Sequence, residues 1–247
     1  MKKIRLDELL CRSNLCDSLD QAQRLIIAGE VNVSGETADK VGSLYPEDAV
    51  LSVKEKCPYV SRGGYKLAGG LRDFEFSPKG MTCLDIGASS GGFTDCLLQN
   101  GAAKVYAVDV AYGMLNWKLR QDKRVVVIER FNARKITKQE VPEPIDLAVI
   151  DAAFISLTKL IPPLLPLFGD ALSIICLVKP QFELPRNRIP KGGVISNPEH
   201  HKEAIDKITA FARELGLSIS DPVTSSILGP KGNREFLLKI SDSSSIS

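Results

Sequence analysis

The sequence predicts an α/β protein with a mostly parallel, seven-stranded sheet, preceded by a small N-terminal α+β domain. Three observations predict this organisation. From about residue 61, short apolar segments alternate with stretches of helical periodicity, which is typical of parallel sheets covered by helices on both faces. Residues 1–56 carry a different pattern, with two short amphipathic helices followed by short alternating strands. The segment LDIGASSGGF, residues 84–93, has the pattern of a strand, a glycine turn and the start of a helix.

The composition indicates a globular chain without an overall charge bias. Its 247 residues are 44% hydrophobic and 25% charged, and the formal net charge is +2, so any nucleic-acid surface must be a local patch. The six cysteines form no C-x-x-C pair and there are two histidines, so no metal site is expected. No signal core and no apolar run of membrane-spanning length is present. We therefore expect a reduced, cytoplasmic protein without a membrane partner.

The N-terminal segment has the pattern of two helices followed by short strands. IRLDELLCRSN and SLDQAQRLIIAGE have helical spacing; Ser18 can cap the second helix, Gln21 falls at its capping-box position and Gly29 ends it. VNVSGE and AVLSVKEK alternate as short strands. Four basic residues could lie on one face and bind RNA, although a solvated surface is the commoner role of such charges. They are Arg5, Arg12, Arg24 and Lys40.

We place the domain boundaries where the sequence pattern changes. Residues 1–56 form the first domain, CPYV at residues 57–60 the linker, residues 61–241 the second domain and residues 242–247 a disordered tail. The predicted strands of the second domain are TCLDIG, KVYAVDV, RVVVIE, IDLAVIDA, LSIICLVK, LSISDPVTSS and EFLLKI. Only a turn around GPKGN separates the last two, so we expect an antiparallel hairpin near one end of the sheet.

The glycine loop after the first of these strands does not match the common phosphate-binding motifs. A P-loop needs a lysine where this chain has Phe93, and the dinucleotide motif needs a glycine where it has Ser89. Asp85, just before the loop, would repel a pyrophosphate but suits a ligand with positive charge. S-adenosylmethionine carries a sulfonium and an ammonium group and no phosphate. The alternative is an ordinary strand-to-helix turn.

Polar residues end or follow five successive predicted strands, where a parallel sheet places its ligand site. In chain order they are Asp85, Asp109, Asn132, Asp151 and Lys179. Asp109 could accept hydrogen bonds from the ribose hydroxyls of an adenosine, and Asn132 could contact the adenine edge. Asp85 and Asp109 could instead cap helices, and Lys179 could be a surface lysine. Those roles do not explain why each of these residues falls at the carboxyl end of a predicted strand.

Two further motifs place charged residues near the predicted site. SRGGYK places Arg62 and Lys66 beside two glycines at the entrance to the second domain. GPKGNREF places Lys231, Arg234 and Glu235 at the start of the last strand. The alternative role of Glu235 is simply to begin that strand.

These motifs resemble those of known families. The N-terminal segment, most clearly RLIIAGEVNVSG, resembles the S4 RNA-binding domain. The second domain resembles the FtsJ-like ribose 2′-O-methyltransferases, which implies a Rossmann-like, S-adenosylmethionine-dependent methyltransferase fold. The whole chain is similar to the TlyA family, also labelled hemolysin A, in VSRGGYKL, DIGASSGGFTD, VYAVDVAYG, VKPQFE, KGGV and GPKGN.

The resemblance implies a role for each matched residue. The catalytic Lys–Asp–Lys–Glu set of the family falls on Lys66, Asp151, Lys179 and Glu235. The residues expected to hold the cofactor, S-adenosylmethionine, are Asp85, Gly87, Ser89, Gly91, Gly92, Phe93, Asp109, Asn132 and Asp151. The residues expected to bind RNA are Arg5, Arg12, Arg24, Lys40, Arg62, Lys231 and Arg234.

The resemblance also implies a substrate. Members of the family methylate the ribose of cytidines in ribosomal RNA of the large subunit, and some also act on the small subunit. The short N-terminal segment favours 23S rRNA in the 50S subunit, with the 30S subunit as the second choice. Some members of the family can carry R-x-W-V where this chain has CPYV, so no role of the linker is carried over.

Three other functions remain open at this stage. A non-catalytic ribosome-assembly factor would bind RNA, but it would not need the four-residue set. A membrane-active haemolysin is suggested by one family name, although the chain shows no basic amphipathic segment. A base methyltransferase often carries a catalytic cysteine or an N/D-P-P-[YF] motif after the fourth strand, where this chain has DAAF.

Overall fold

A computed structural model describes residues 3–53 and 57–243. The chain divides into two compact units, Met1–Cys57 and Pro58–Ser247, and each is described by itself. The expected end of the first domain at residue 56 and residues 244–247 of the expected tail lie outside the described residues.

Within residues 3–53, the N-terminal unit combines two helices with five three-residue strands. The strands are β1 (Lys3–Arg5), β2 (Val31–Val33), β3 (Glu36–Ala38), β4 (Leu44–Pro46) and β5 (Leu51–Val53), and the helices are α1 (Leu6–Arg12) and α2 (Leu19–Ile27). β1 pairs with β4, and β2 pairs with β3 and β5, all antiparallel. Leu6, Leu10 and Ile26 are fully buried between helices and strands. As predicted, the Ser18 hydroxyl caps α2 by accepting a hydrogen bond from the Gln21 backbone N–H.

Two details of the N-terminal unit differ from the sequence prediction. The segment predicted as one helix from Ile4 begins instead with β1, because Lys3–Arg5 pairs with Leu44–Pro46. The sequence does not indicate β3 and β4, because both lie largely in the polar, turn-rich stretch between the two predicted strand segments.

The C-terminal unit is built on the predicted sheet, and its mostly parallel character confirms the expected fold class. Its strands are β6 (Thr82–Ile86), β7 (Lys104–Val108), β8 (Val125–Ile128), β9 (Leu147–Ile150), β10 (Ser173–Val178), β11 (Leu217–Ile219), β12 (Val223–Thr224) and β13 (Phe236–Asp242). Their order is β11-β13-β10-β9-β6-β7-β8, with β12 also paired to β13. The strands from β10 to β8 are parallel, whereas β13 runs antiparallel to β10 and to β11.

Helices cover both faces of this sheet. They are α3 (Gly63–Asp73), α4 (Gly92–Gln99), α5 (Trp117–Arg120), α6 (Ile161–Leu164), α7 (Pro180–Glu183) and α8 (Pro198–Glu214). Buried residues of α3 and α4 pack on one face, and those of α6 and α8 pack on the other. The side chains of each strand alternate between the two faces of the sheet. Because helices cover both faces, the side chains on both sides of the central strands are apolar.

The ends of the predicted second domain require two corrections. Residues 58–60, expected to belong to a linker, pack on α4: the Val60 N–H donates to Asp95 Oδ2 over 2.8 Å, and Gln99 Nε2 donates to the Pro58 carbonyl over 2.9 Å. Asp242, expected in the tail, ends β13, and its Oδ2 accepts a hydrogen bond of 2.6 Å from the Leu172 N–H. In both places, polar contacts with the core elements extend the folded unit.

The predicted strand LSISDPVTSS is also two strands. β11 and β12 both pair with β13, but residues 220–222 interrupt them. Pro222 lacks a backbone N–H and disfavours a continuous ladder.

Candidate active site

A cavity of about 540 Å³ opens at the carboxyl ends of the parallel strands. Asp109, Asp151 and Lys179 line it, as their positions at the ends of parallel strands predict, and Lys66 lines it from α3. A second cavity, of about 780 Å³, runs along α8 and contains none of the residues predicted to be catalytic or cofactor-binding. The candidate active site is therefore the cavity at the strand ends.

The four residues predicted to be catalytic form one continuous chain of ion pairs. Lys66 Nζ lies 2.6 Å from Glu235 Oε2 and 3.9 Å from Asp151 Oδ2, and Lys179 Nζ pairs with Asp151 Oδ1. These side chains are largely buried, with exposures of 9% for Lys66, 1% for Glu235, 18% for Asp151 and 11% for Lys179. Each charge has an opposite charge beside it, which offsets the cost of removing it from water. Two cations and two anions thus alternate at the cavity.

Four different elements bring this chain of charges together. Asp151 follows β9 and Lys179 follows its neighbour β10. Lys66 is on the first turns of α3, and Glu235 immediately precedes β13, which pairs with β10. Gly229 lies against the Glu235 carboxylate, since a Cβ at this position would be 2.5 Å from Oε1. The GPKGN turn therefore encloses Glu235 as well as connecting two strands.

The loop after β6 and the end of β7 form the opposite part of the cavity. Asp109 Oδ2 accepts a hydrogen bond of 2.7 Å from the Ser89 N–H, and Oδ1 accepts one of 2.8 Å from the Ala111 N–H. Each oxygen keeps a second lone pair for a ligand. Gly87 has a φ of +84°, and a Cβ there would be 2.7 Å from the Asp151 carbonyl oxygen, so this position requires glycine. Asn132 lines the cavity, and its Oδ1 caps the next turn by accepting from the Arg134 N–H.

Two residues expected to bind the cofactor do not reach the cavity. Asp85 is fully buried on the face of the sheet that α4 covers, where its Oδ2 accepts a hydrogen bond of 2.6 Å from Thr94 Oγ1. Gly91 faces Leu115 and Leu119 instead. Gly87, Ser89, Gly92 and Phe93 do line the cavity. The glycine-rich loop is thus divided between ligand contact and packing.

An exposed aromatic residue that the sequence motifs did not indicate also lines the cavity. Phe154, in the DAAF segment, is 90% exposed and has a φ of +62°, which is unfavourable for a bulky side chain. Its ring packs on that of Phe182, with centroids 5.0 Å apart. The available signal was an aromatic residue three positions after a strand-end aspartate.

The basic residues expected to bind RNA lie in both units. Arg62, Lys231 and Arg234 are exposed in the C-terminal unit, and Arg62 lines the cavity. Arg12, Arg24 and Lys40 are exposed in the N-terminal unit, where Arg12 pairs with the exposed Glu47. Arg5 donates two hydrogen bonds to buried Asp7, of 3.0 and 2.7 Å, and holds the pKa of that carboxyl at about 2. Arg5 therefore has a structural role in this unit.

None of the helices in residues 3–53 and 57–243 has the length and apolar character needed to cross a membrane. The same residues contain no group of three or more histidine, cysteine, aspartate or glutamate side chains that could hold a metal ion.

The parallel sheet, the loop after its first central strand and the acidic residue that ends the next strand define a Rossmann-like domain with a nucleoside-binding cavity. The sequence matches the FtsJ-like methyltransferase family over residues 59–241 and the S4 domain over residues 4–51. The chain belongs to the TlyA, or hemolysin A, family of FtsJ-like methyltransferases. S-adenosylmethionine is its cofactor.

Three comparisons place the chain in this family over nearly its whole length. YqxC of Bacillus subtilis (strain 168), by its name a candidate rRNA methyltransferase, is 43% identical over 97% of this chain and 86% of its own. The 16S/23S rRNA (cytidine-2′-O)-methyltransferase TlyA of Mycobacterium tuberculosis is 41% identical over 96% of this chain and 89% of its own. A solved structure from Streptococcus thermophilus, named as a candidate hemolysin, is 41% identical, covers 99% of this chain and 90% of its own, and gives a TM-score of 0.75.

The cavity fits this cofactor. Ile86 and Val108 supply apolar walls, Asp109 offers acceptors for ribose hydroxyls, and the volume suits a ligand of this size. Asp109 and the loop around Ser89 would hold the nucleoside part, and Lys66, Asp151 and Lys179 line the rest of the cavity.

Proposed function

We propose that this protein methylates the ribose 2′-oxygen of a cytidine in ribosomal RNA, with 23S rRNA of the 50S subunit as the first candidate substrate. The observation that carries this proposal is the continuous ion-pair chain from Glu235 through Lys66 and Asp151 to Lys179, beside a cavity that fits the cofactor. A module that only binds RNA has no need of four alternating buried charges. The names of the relatives and the S4 domain support RNA as the substrate.

The chemistry requires alignment and the removal of one proton. S-adenosylmethionine supplies an electrophilic methyl group and leaves as an uncharged thioether. The ribose hydroxyl must lose its proton as its oxygen forms the new bond to carbon, and the Lys179–Asp151 pair takes up that proton. Lys179, held by Asp151, is placed to hydrogen-bond that oxygen and to stabilise the negative charge that develops on it. Lys66, which is itself paired with Glu235, holds Asp151 from the other side. The Lys179–Asp151 pair is therefore fixed in position before the substrate arrives.

Phe154 supplies a platform for the target nucleoside. A nucleotide in folded RNA is stacked and must be drawn out to reach the cavity, at a cost of a few kcal/mol. A base stacked on an aromatic ring recovers about 1–3 kcal/mol. Phe154 is the exposed aromatic residue that lines this cavity, three positions after Asp151. We therefore assign it to the extruded base.

The first test is methyl transfer from radiolabelled S-adenosylmethionine to separated 30S and 50S subunits that lack the modification. Nuclease digestion locates the label. We expect label on a ribose 2′-oxygen of a 23S cytidine. Label on both subunits would extend the substrate to 16S rRNA, and label on a base would contradict the proposed reaction. Cofactor binding without any label would favour a ribosome-assembly factor.

The matched variants are Lys179→Ala and Lys123→Ala. Lys179→Ala should lower kcat by at least 100-fold while cofactor affinity and thermal stability are retained, because it removes the group that stabilises the developing charge. Lys123 is exposed and precedes β8, so it lies at the amino end of that strand, opposite the cavity. Lys123→Ala should therefore behave as the wild type. A folded Lys179→Ala enzyme with near wild-type turnover would disprove the role of Lys179.

A further inference from the structure

A second charge cluster is centred on Glu183, which lies outside the cavity and four residues after Lys179 in sequence. This residue ends α7, the short helix that follows Lys179, and only 4% of it is exposed. Glu183 Oε1 accepts a hydrogen bond of 2.8 Å from the Leu157 N–H, and Oε2 accepts one of 2.5 Å from the Ser156 hydroxyl. Ser156 and Leu157 belong to the segment that follows Asp151. One carboxylate therefore ties together the two loops that carry Lys179 and Asp151.

Lys207 on α8 neutralises this carboxylate. Its Nζ lies 3.0 Å from Glu183 Oε2 and donates a second hydrogen bond of 2.7 Å to the Glu183 carbonyl. The same ammonium lies 3.3 Å from the Ser156 hydroxyl. A buried carboxylate without a counter-charge would be strongly destabilising, so Lys207 is what permits an anion at this position. The cluster thereby anchors both loops to the longest helix of the unit.

Phe154 lines the cavity, and Phe154 and Phe182 are both close in sequence to residues of this cluster. Phe182 immediately precedes Glu183, and Phe154 lies two residues before Ser156. Their rings touch at a centroid distance of 5.0 Å and an angle of 52°. The positive φ of Phe154 is costly for an aromatic residue and persists only where surrounding contacts impose it. The contacts at Ser156, Leu157 and Phe182 are the ones that can impose it.

We propose that Glu183, held by Ser156 and Lys207, is a positioning residue that keeps the Phe154 ring beside the Lys179–Asp151 pair, ready for the extruded base. This inference rests on the proposed ribose methylation. Glu183 does not line the cavity, so it acts through Phe154 and touches neither cofactor nor RNA. Its loss should therefore reduce the reaction of bound RNA and leave cofactor affinity nearly unchanged.

The test is a double-mutant cycle between Glu183→Gln and Phe154→Ala, read out as kcat and KM for the RNA substrate. We expect Glu183→Gln to lower kcat roughly tenfold with KM within about twofold, because other surfaces dock the RNA. In the Phe154→Ala background, Glu183→Gln should add less than about twofold, because the ring that it positions is already absent. The matched control is Glu214→Gln, which removes an exposed carboxylate of α8.

Cofactor affinity and thermal stability are measured for every variant, to separate positioning from general destabilisation. Ser156→Ala removes one hydrogen bond to Glu183 and keeps the ion pair, so it provides the same test if Glu183→Gln does not fold. A Glu183→Gln or Ser156→Ala enzyme with wild-type kcat, or losses that multiply fully with Phe154→Ala, would overturn the inference. A wild-type protein that never labels ribose would instead overturn the proposed function.

Discussion

The buried carboxylate of Asp85 makes the stability of the C-terminal unit depend on pH. Its side chain is fully buried on the α4 side of the sheet, and burial raises its pKa to about 7. In the unfolded chain this pKa is about 4. Between these values the native state binds the proton and the unfolded state does not, so stability falls as the pH rises. The contribution is fully present below about pH 4 and is lost as the pH rises through about 7.

Asp85→Asn should therefore stabilise the protein at high pH only. An amide keeps an acceptor for Thr94 Oγ1 and carries no charge to bury. The variant's free energy of unfolding minus that of the wild type should increase by a few kcal/mol between pH 5 and pH 8, because only the wild type loses stability as Asp85 ionises. Urea denaturation at the two pH values measures this difference. Asp221→Asn, at an exposed aspartate, is the control and should show no such change.

The same variant tests the cofactor-binding role that the sequence suggested for Asp85. Because the side chain does not line the cavity, Asp85→Asn should bind S-adenosylmethionine with nearly wild-type affinity. Calorimetry at pH 8, where the wild-type carboxyl is largely ionised, gives the comparison. A large loss of affinity there would restore the original assignment.

At the scale of elements, the N-termini of α3 and α4 lie in close contact at Gly92. A Cβ at Gly92 would be 2.4 Å from Ser61 Oγ and 2.9 Å from the backbone nitrogen of Gly64. The Gly64 backbone cannot move aside as a flexible side chain would. Gly92→Ala should therefore separate the two helices and displace Lys66, which is on α3. We expect a loss of roughly 1–3 kcal/mol in the free energy of unfolding, together with reduced kcat.

Gly63→Ala is the matched control for this stability measurement. Its Cβ would meet nothing closer than 3.5 Å, which is ordinary van der Waals contact. At the start of α3, alanine should leave the free energy of unfolding unchanged or slightly raised. Thermal and chemical denaturation of both variants check the comparison. Equal destabilisation by both substitutions would show that the close contact at Gly92 is not the cause.

The positions of Asp151 and Lys179 were predictable from the sequence because they depend only on where strands end. Apolar runs that stop at a polar residue define the carboxyl edge of a parallel sheet, and neighbouring strands bring those residues together. The resemblance to FtsJ-like enzymes added Lys66 and Glu235, which lie outside the parallel strands. Their contacts confirm that the four residues form one cluster.

Asp85 and Phe154 were not predictable, because tertiary packing determines their surroundings. Strand β6 is buried on both faces, so the sequence does not tell which face Asp85 occupies. The left-handed backbone of Phe154 contradicts the local preference of an aromatic residue. It depends on Phe182 and Glu183, which are nearly 30 residues away in sequence.

At the scale of the whole molecule, a formal net charge of +2 leaves RNA binding to local groups of basic residues. Arg24 and Lys40 are exposed in the N-terminal unit, and no ion pair is found for them among the described residues. Arg5 is already bound to Asp7. Among the residues of that unit predicted to bind RNA, Arg24 and Lys40 are therefore the best suited to phosphate contacts.

Arg24→Ala/Lys40→Ala should weaken binding to the 50S subunit and make it less sensitive to salt. Each lost phosphate contact reduces the magnitude of the slope of log affinity against log salt concentration by about 1. The slope of the double variant should therefore be smaller in magnitude by about 2. Turnover at saturating RNA and cofactor affinity should be unchanged, because neither residue lines the cavity. The charge-matched control is Lys79→Ala/Lys123→Ala, because these exposed lysines precede β6 and β8, at the ends of the parallel strands opposite the cavity. Equal loss of affinity in both double variants would show that net charge, and not the N-terminal unit, governs docking.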